Sequence, residues 1–229
     1  MVAAAGGTDT SNAGRAPAER TCGTCPVQRG RREPPGSRHA RLRYGVPVTS
    51  TSPENRAALP VRTATLADVD PLVRLVTSAY RGEASRTGWT TEADLLDGER
   101  IDPAVLRADI TRPRSTVLVV DDDGGPLACA HVAVEDGAGY FGMFAVRPDR
   151  QGGGVGRALL GEAERVARDE WGQTLLRMSV IDARADLIAW YVRRGYVRTG
   201  HLKPFPYGDT RFGVPKRDDL RFEVLEKHL

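Results

Sequence analysis

The run Val146-Arg147-Pro148-Asp149-Arg150-Gln151-Gly152-Gly153-Gly154-Val155-Gly156-Arg157-Ala158-Leu159-Leu160 joins an apolar segment to an amphipathic one. The first amides of a helix have no intrahelical partner, and the helix dipole makes that end positive. Glycines let successive amides curl toward one centre and let an anion approach the backbone. Such a turn is a cradle for a pyrophosphate. It is not a Walker loop, because no G-x-x-x-x-G-K-[ST] occurs. A dinucleotide fingerprint begun at Gly154 would need a third glycine where Leu159 stands. The strands read just before the turn also form a meander, unlike the start of a Rossmann unit.

The elements that must position this turn follow from the spacing of apolar residues. Val61–Thr65 reads as a short strand. Asp68 can cap a helix in which Val69, Leu72, Val73, Val76 and Tyr80 recur at helical spacing, with Gly82 as its stop. A second helical region, broken at Asp102-Pro103, spans roughly Glu92–Ile110. The period then changes to that of strands at Thr116–Val120, Leu127–Val134 and Gly139–Val146, with an acidic turn at Asp121–Gly125 and a hairpin turn at Asp136-Gly137. Arg157–Trp171 is an amphipathic helix, Leu175–Ile181 a strand and Ala185–Arg194 a helix stopped by Gly195. Tyr196–Gly200 and Asp219–Leu225 are the last strands. The order predicts a mixed α/β sheet in which an antiparallel meander joins a parallel β-α-β unit with flanking helices.

With these elements in place, Gln151-x-x-Gly154-x-Gly156 resembles the Q/R-x-x-G-x-G/A signature of the GNAT (Gcn5-related N-acetyltransferase) superfamily. Val146-x-Pro148 and Leu159-Leu160 match its flanks. Arg62-x-Ala64-x-x-Asp68 resembles the family's opening strand and helix. Trp190-Tyr191-Val192-Arg193-Arg194-Gly195-Tyr196 is similar to its second signature. Together the three cover about residues 61–229. The resemblance implies an acyl-CoA-dependent N-acyltransferase, with acetyl-CoA as co-substrate and no metal. It implies that Phe144, Ala145 and Val146 pair with the pantetheine arm. The amides of Gln151, Gly152, Gly153, Gly154, Val155, Gly156 and Arg157 would hold the pyrophosphate. Tyr191 would return a proton to the CoA thiolate.

Attack by an amine also needs a proton acceptor. Glu135 is the first candidate and His131 the next, since residues 131, 133 and 135 share one face of a strand; bulk water is the third. Trp89, Tyr80 and Phe141 are candidates for the acceptor pocket, Trp89 foremost because it stands between Gly88 and Thr90. Phe205 and Tyr207 are further candidates on the late loop, with ordinary packing as the alternative for each. The family often has Asn seven residues before the tyrosine, where this chain has Arg184. That departure puts the donor-arm contact in question, and Asp182 or Arg184 would have to supply it. A non-catalytic acyl-CoA sensor on the same fold is the alternative function.

Charge is divided unevenly along the 229 residues. Residues 1–60 carry nine Arg against four acidic residues, whereas the remainder is slightly acidic at −2. A nucleic-acid module would put its positive field on the folded part, so nucleic acid is not the expected partner; a small-molecule or peptide amine is. Residues 1–59, rich in Gly, Pro, Ala, Ser, Thr and Arg, read as a disordered basic extension ahead of an acetyltransferase domain at 60–229. Cys22 and Cys25 form a lone C-x-x-C in that stretch, without the other ligands a zinc site needs. No run approaches the length of a membrane span, and the first residues lack a basic, apolar leader, which predicts a cytoplasmic protein, monomer or homodimer.

Overall fold

The computed structural model describes residues 60–229. The division at residue 59 and the Cys22/Cys25 pair lie outside the described residues. Strand β1 (Val61–Thr63) leads into a 3-10 turn at Leu66–Asp68. Asp68 caps that turn rather than the helix after it. Its carboxylate accepts the Thr65 N–H at 2.7 Å and pairs with Arg62 at 2.8 Å. Helix α1 (Val69–Tyr80) follows and buries Val69, Leu72, Leu75, Val76, Ala79 and Tyr80. Gly82, at φ +65°, opens the single turn α2 (Gly82–Ser85).

The helix expected over 92–110 begins only at α3 (Pro103–Thr111). Asp102 caps it, accepting from the amides of Ala104 at 2.6 Å and Val105 at 3.3 Å, and Pro103 takes the first turn, where its missing N–H costs nothing. Upstream, Leu96–Asp97 forms strand β2, paired antiparallel with β8 (Val214–Pro215), a segment more than a hundred residues away. Long-range pairing overrides the local helical pattern there.

Strands β3 (Ser115–Asp122), β4 (Gly125–Glu135) and β5 (Ala138–Val146) form the meander. Asp136 at φ +48° and Gly137 at φ +75° make the tight hairpin, both in the left-handed region such turns demand. Helix α4 (Val155–Arg165) runs on into one π turn at Val166–Glu170 and returns the chain to β6 (Leu175–Ile181), parallel to β5. Helix α5 (Ala185–Val192), β7 (Val197–Pro204) and β9 (Arg221–His228) complete the domain. The seven-stranded sheet has the order β1-β3-β4-β5-β6-β9-β7.

Alternation along the strands sorts two cores. Leu118, Val120, Ala130 and Val132 face α4 and α5, while Val117, Val119 and Cys129 face α1 and α3. Full burial of each Leu or Val contributes about 1.5–3 kcal/mol. Between these layers lies the feature that matters for function. Parallel strands β5 and β6 pair only at Gly139↔Leu176 and Tyr140↔Arg177. A Cβ on Gly139 would lie 2.9 Å from a Leu176 methyl and 3.1 Å from the Leu175 carbonyl oxygen, so a larger residue would press the two strands apart. Beyond it the register of β4 on β5 shifts between Cys129 and His131, and Met143 takes φ +44°. This bulge turns β5 away from β6 and opens a wedge between them.

Candidate functional site

The wedge holds two cavities. The larger, of about 250 Å³, is lined by β5 residues Phe144, Ala145 and Val146, by the glycine turn and by Trp89, Thr90 and Trp190. The smaller, of about 60 Å³, is lined by Glu92, Arg100, Met178, Ser179 and Tyr191 among others. Tyr80, Phe144, Arg184 and Leu187 line both, so the two meet at the point where β5 leaves β6.

The glycine turn is built as a cradle. Gly152 and Gly154 adopt φ +87° and +90°, conformations that cost any other L-residue about 1–2 kcal/mol. The first helical bond of α4 runs from Ala158 N–H to Gly154 O at 3.0 Å, and the amides of residues 152–157 have no backbone acceptor. They open on the larger cavity beside Arg150, Arg157 and Arg194. Free amides, a positive helix end and three guanidiniums suit the diphosphate of a nucleotide-bearing thioester. Gly156 serves packing, since a Cβ there would lie 3.0 Å from the Phe144 ring.

Gln151 ties this turn to its surroundings. Its Nε2 donates to Val146 O at 3.0 Å, and its Oε1 accepts the Trp89 N–H at 3.0 Å. The Tyr80 hydroxyl donates to Phe144 O. The carbonyls of Phe144 and Val146 thus point to the open edge of β5, away from β4.

Tyr191 projects from α5 into the smaller cavity and is only 4% exposed. Phe141, Trp190 and Tyr196 meet its ring edge-on at 6.4, 5.0 and 5.7 Å. Burial, followed by the nearby Tyr80 oxygen, pushes its pKa well above the ordinary tyrosine value. The hydroxyl is therefore protonated at every physiological pH, and no described residue hydrogen-bonds it.

Glu135 ends β4 outside both cavities, half-exposed and paired with Arg112 at 2.6 Å. His131 is buried between β4 and α3, with Nε2 2.9 Å from Ser115 Oγ. Burial, then the Arg112 charge, lowers its pKa to about 4. It lines neither cavity. Trp89 lines the larger cavity, stacked on Trp190 at 6.4 Å. Phe141 is buried and reaches the smaller one, and Tyr80 sits at the junction. Phe205 and Tyr207 pack on each other and on Phe222 or the Leu220 backbone, outside both. Asp182 pairs with Arg221 outside the wedge, whereas Arg184 stands in it.

Several lining residues went unread in the sequence. Glu92 is 3% exposed and is bound by Arg81 at 2.6 Å, Arg184 at 2.8 Å and Arg100 at 3.3 Å. Burial disfavours its anion, yet Arg100, Arg184 and Arg81 together hold its pKa below the usual carboxylate value. Trp190 belongs to the quoted second signature, and Arg194, at i+4 from it, stacks 3.4 Å from its ring centre, a pairing that helical spacing allows. Among the described residues no group of three or more His, Cys, Asp or Glu is placed to hold a metal, and no helix is long and apolar enough to cross a membrane.

Residues 113–198 match the family model of the acetyltransferase (GNAT) domain. The sequence search found no match among curated proteins. Similar solved structures include the ribosomal-protein-S18-alanine N-acetyltransferase of Escherichia coli, at 16% identity and TM-score 0.54 over 74% of this chain and 92% of that one. The ribosomal-protein-alanine N-acetyltransferase of Brucella melitensis reaches 21% and 0.56 over 75% and 100%. The PaiA N-acetyltransferase of Thermoplasma acidophilum, solved with coenzyme A, reaches 14% and 0.51 over 74% and 98%. At these identities the structures establish the shared fold, and residues 113–198 carry the match to a GNAT acetyltransferase domain.

Proposed function

We propose that the protein transfers the acetyl group of acetyl-CoA to a primary amine by direct attack. The observation that carries this reading is that Tyr80, Phe144, Arg184 and Leu187 line both cavities, so the two adjoin. Free amides at residues 152–157 stand at one end, and an unpartnered, neutral Tyr191 stands at the other. A thioester with its diphosphate on the glycine turn and its arm along Phe144, Ala145 and Val146 would present its carbonyl at the junction.

The amine nitrogen attacks the thioester carbon, and the carbonyl electrons move to oxygen. Collapse of that tetrahedral species breaks the C–S bond. Tyr191 gives its hydroxyl proton to the departing sulfur, and its unfavourable buried phenolate recovers a proton at once. The attacking nitrogen must lose one proton. Glu92 is the one carboxylate lining the cavities, and its guanidinium partners hold it as a weak base. Water in the wedge takes that proton in this reading and can return it to Tyr191. The guanidiniums of Arg100 and Arg184 also favour the neutral form of an entering amine, because a second cation beside them is disfavoured.

The experiment is a comparison of Tyr191→Phe with the wild type, following thiol release from acetyl-CoA in the presence of an amine panel. The variant should lose about 10²–10⁴-fold in kcat while keeping its CoA affinity. Equal loss of turnover and affinity would assign Tyr191 to packing. Unchanged turnover would remove it from the chemistry, and donor binding without turnover of any amine by the wild type would favour an acyl-CoA sensor.

A further inference from the structure

The charge of the smaller cavity is lopsided. Arg100 and Arg184 both line it, and a single carboxylate, Glu92, is shared by them and by Arg81 behind. The two Arg184 terminal nitrogens are occupied, one on Glu92 at 2.8 Å and the other on Thr90 Oγ1 at 2.7 Å. Arg100 is the more open of the two, its side chain 26% exposed against 7% for Arg184. Its Nε lies 3.3 Å from Glu92 and, like the Nε of Arg184, makes no hydrogen bond, and its guanidinium rests 4.8 Å over the Tyr80 ring. One carboxylate, Glu92, is thus shared by three guanidiniums, with its shorter bonds going to Arg81 and Arg184. A guanidinium over an aromatic face keeps N–H donors for an entering anion.

Burying cations without counter-charge is costly, and an entering anion relieves that cost. A polycationic acceptor would add to it. Building on the acetyl-transfer reading above, we infer that the acceptor is a small amine bearing a carboxylate, an amino acid or close analogue. Arg100 receives the carboxylate as a charge-assisted pair. Arg184, Glu92, Thr90 and Arg81 are positioning residues that hold the guanidinium cluster rigid. The acceptor nitrogen, a few bonds from that carboxylate, then lies toward the junction at Tyr80 and Phe144, where the thioester carbon would stand.

The test uses the full chain with acetyl-CoA, and reads thiol release with each of the twenty common amino acids beside its carboxamide, and with spermidine. The carboxylate form of the best acceptor should exceed its carboxamide in kcat/KM by about 10- to 100-fold, the loss expected when a hydrogen bond between charged groups is left unmade. Arg100→Gln and Arg100→Lys should raise KM for the carboxylate more than they lower kcat. They should bring the carboxylate-to-amide ratio toward one in Gln and only part of the way in Lys. Stabilisation by acetyl-CoA shows that each variant is folded and donor-competent. Turnover of carboxamides or spermidine equal to or above that of the amino acids overturns the inference, as does an unchanged ratio in Arg100→Gln. Donor stabilisation with no amino acid turned over also overturns it while sparing the donor site. Absence of donor stabilisation in the wild type instead strikes the acetyl-transfer reading on which it rests.

Discussion

Gln151 bridges the glycine turn to the Trp89 backbone. Its Oε1 accepts the Trp89 N–H and its Nε2 donates to Val146 O, each at 3.0 Å. The space for this bridge exists because residue 88 is glycine: a Cβ there would lie 2.6 Å from Gln151 Oε1. One side chain thus sets the mouth of the larger cavity from three segments. Gln151→Ala should cost about 1–2 kcal/mol of stability, two ordinary hydrogen bonds, and raise KM for acetyl-CoA several-fold. Thermal unfolding and steady-state kinetics check this. Unchanged Tm and KM would mean the bridge is incidental.

Gly154 is the left-handed residue that aims the first amides of α4 into the cavity. Gly154→Ala should lose about 1 kcal/mol of stability through backbone strain. It should weaken CoA binding by at least about tenfold, measured by calorimetry. Loss of stability with full affinity would show that the amides do not depend on this conformation.

Glu92 anchors the arginine cluster. Replacing it by Gln leaves buried guanidiniums without their anion, which should destabilise the domain by about 3–5 kcal/mol. Because the folded-state pKa of Glu92 lies below its ordinary value of about 4.5, its contribution is full above that pH and fades as pH falls through the lower, folded value. Denaturant titrations of wild type and variant should therefore converge in strongly acidic solution. A constant difference at all pH values would contradict the assignment.

His131 gives a second, separable pH effect. Its pKa falls from about 6.5 unfolded to about 4 folded, first through burial and then through Arg112. A folded pKa below the unfolded one means that the unfolded chain binds the proton first. Stability from this group is whole above pH 6.5 and is lost progressively between about 6.5 and 4, by up to about 3 kcal/mol. His131→Gln should flatten that part of the profile. A profile as steep as wild type would place the acid sensitivity elsewhere.

What the sequence disclosed was what is local. The glycine turn, its helix and the hairpin at Asp136-Gly137 are each specified by neighbours within a few residues, and they stand where the pattern puts them. The reading over 92–110 failed because Leu96–Asp97 pairs with Val214–Pro215, and no short window contains both. The same distance hid the cluster at the wedge: Glu92 meets Arg184 across 92 positions. In the sequence Arg184 stands out only as a departure from Asn, and spacing does not disclose its partner. Phe141 and Tyr80 reach the smaller cavity and Trp89 the larger, while Glu135 lies on the far end of β4, since face sharing along a strand does not fix distance from a cleft.

The central claim is that the turn at residues 152–157 binds a CoA thioester, and a thermal-shift series with acetyl-CoA, CoA, ATP and NAD tests it most directly. At one hundred times the dissociation constant, binding should stabilise the domain by about 2.7 kcal/mol. The account predicts that acetyl-CoA and CoA raise Tm and that ATP and NAD do so far less. No shift with either CoA species at millimolar concentration would contradict it and leave the turn a structural loop.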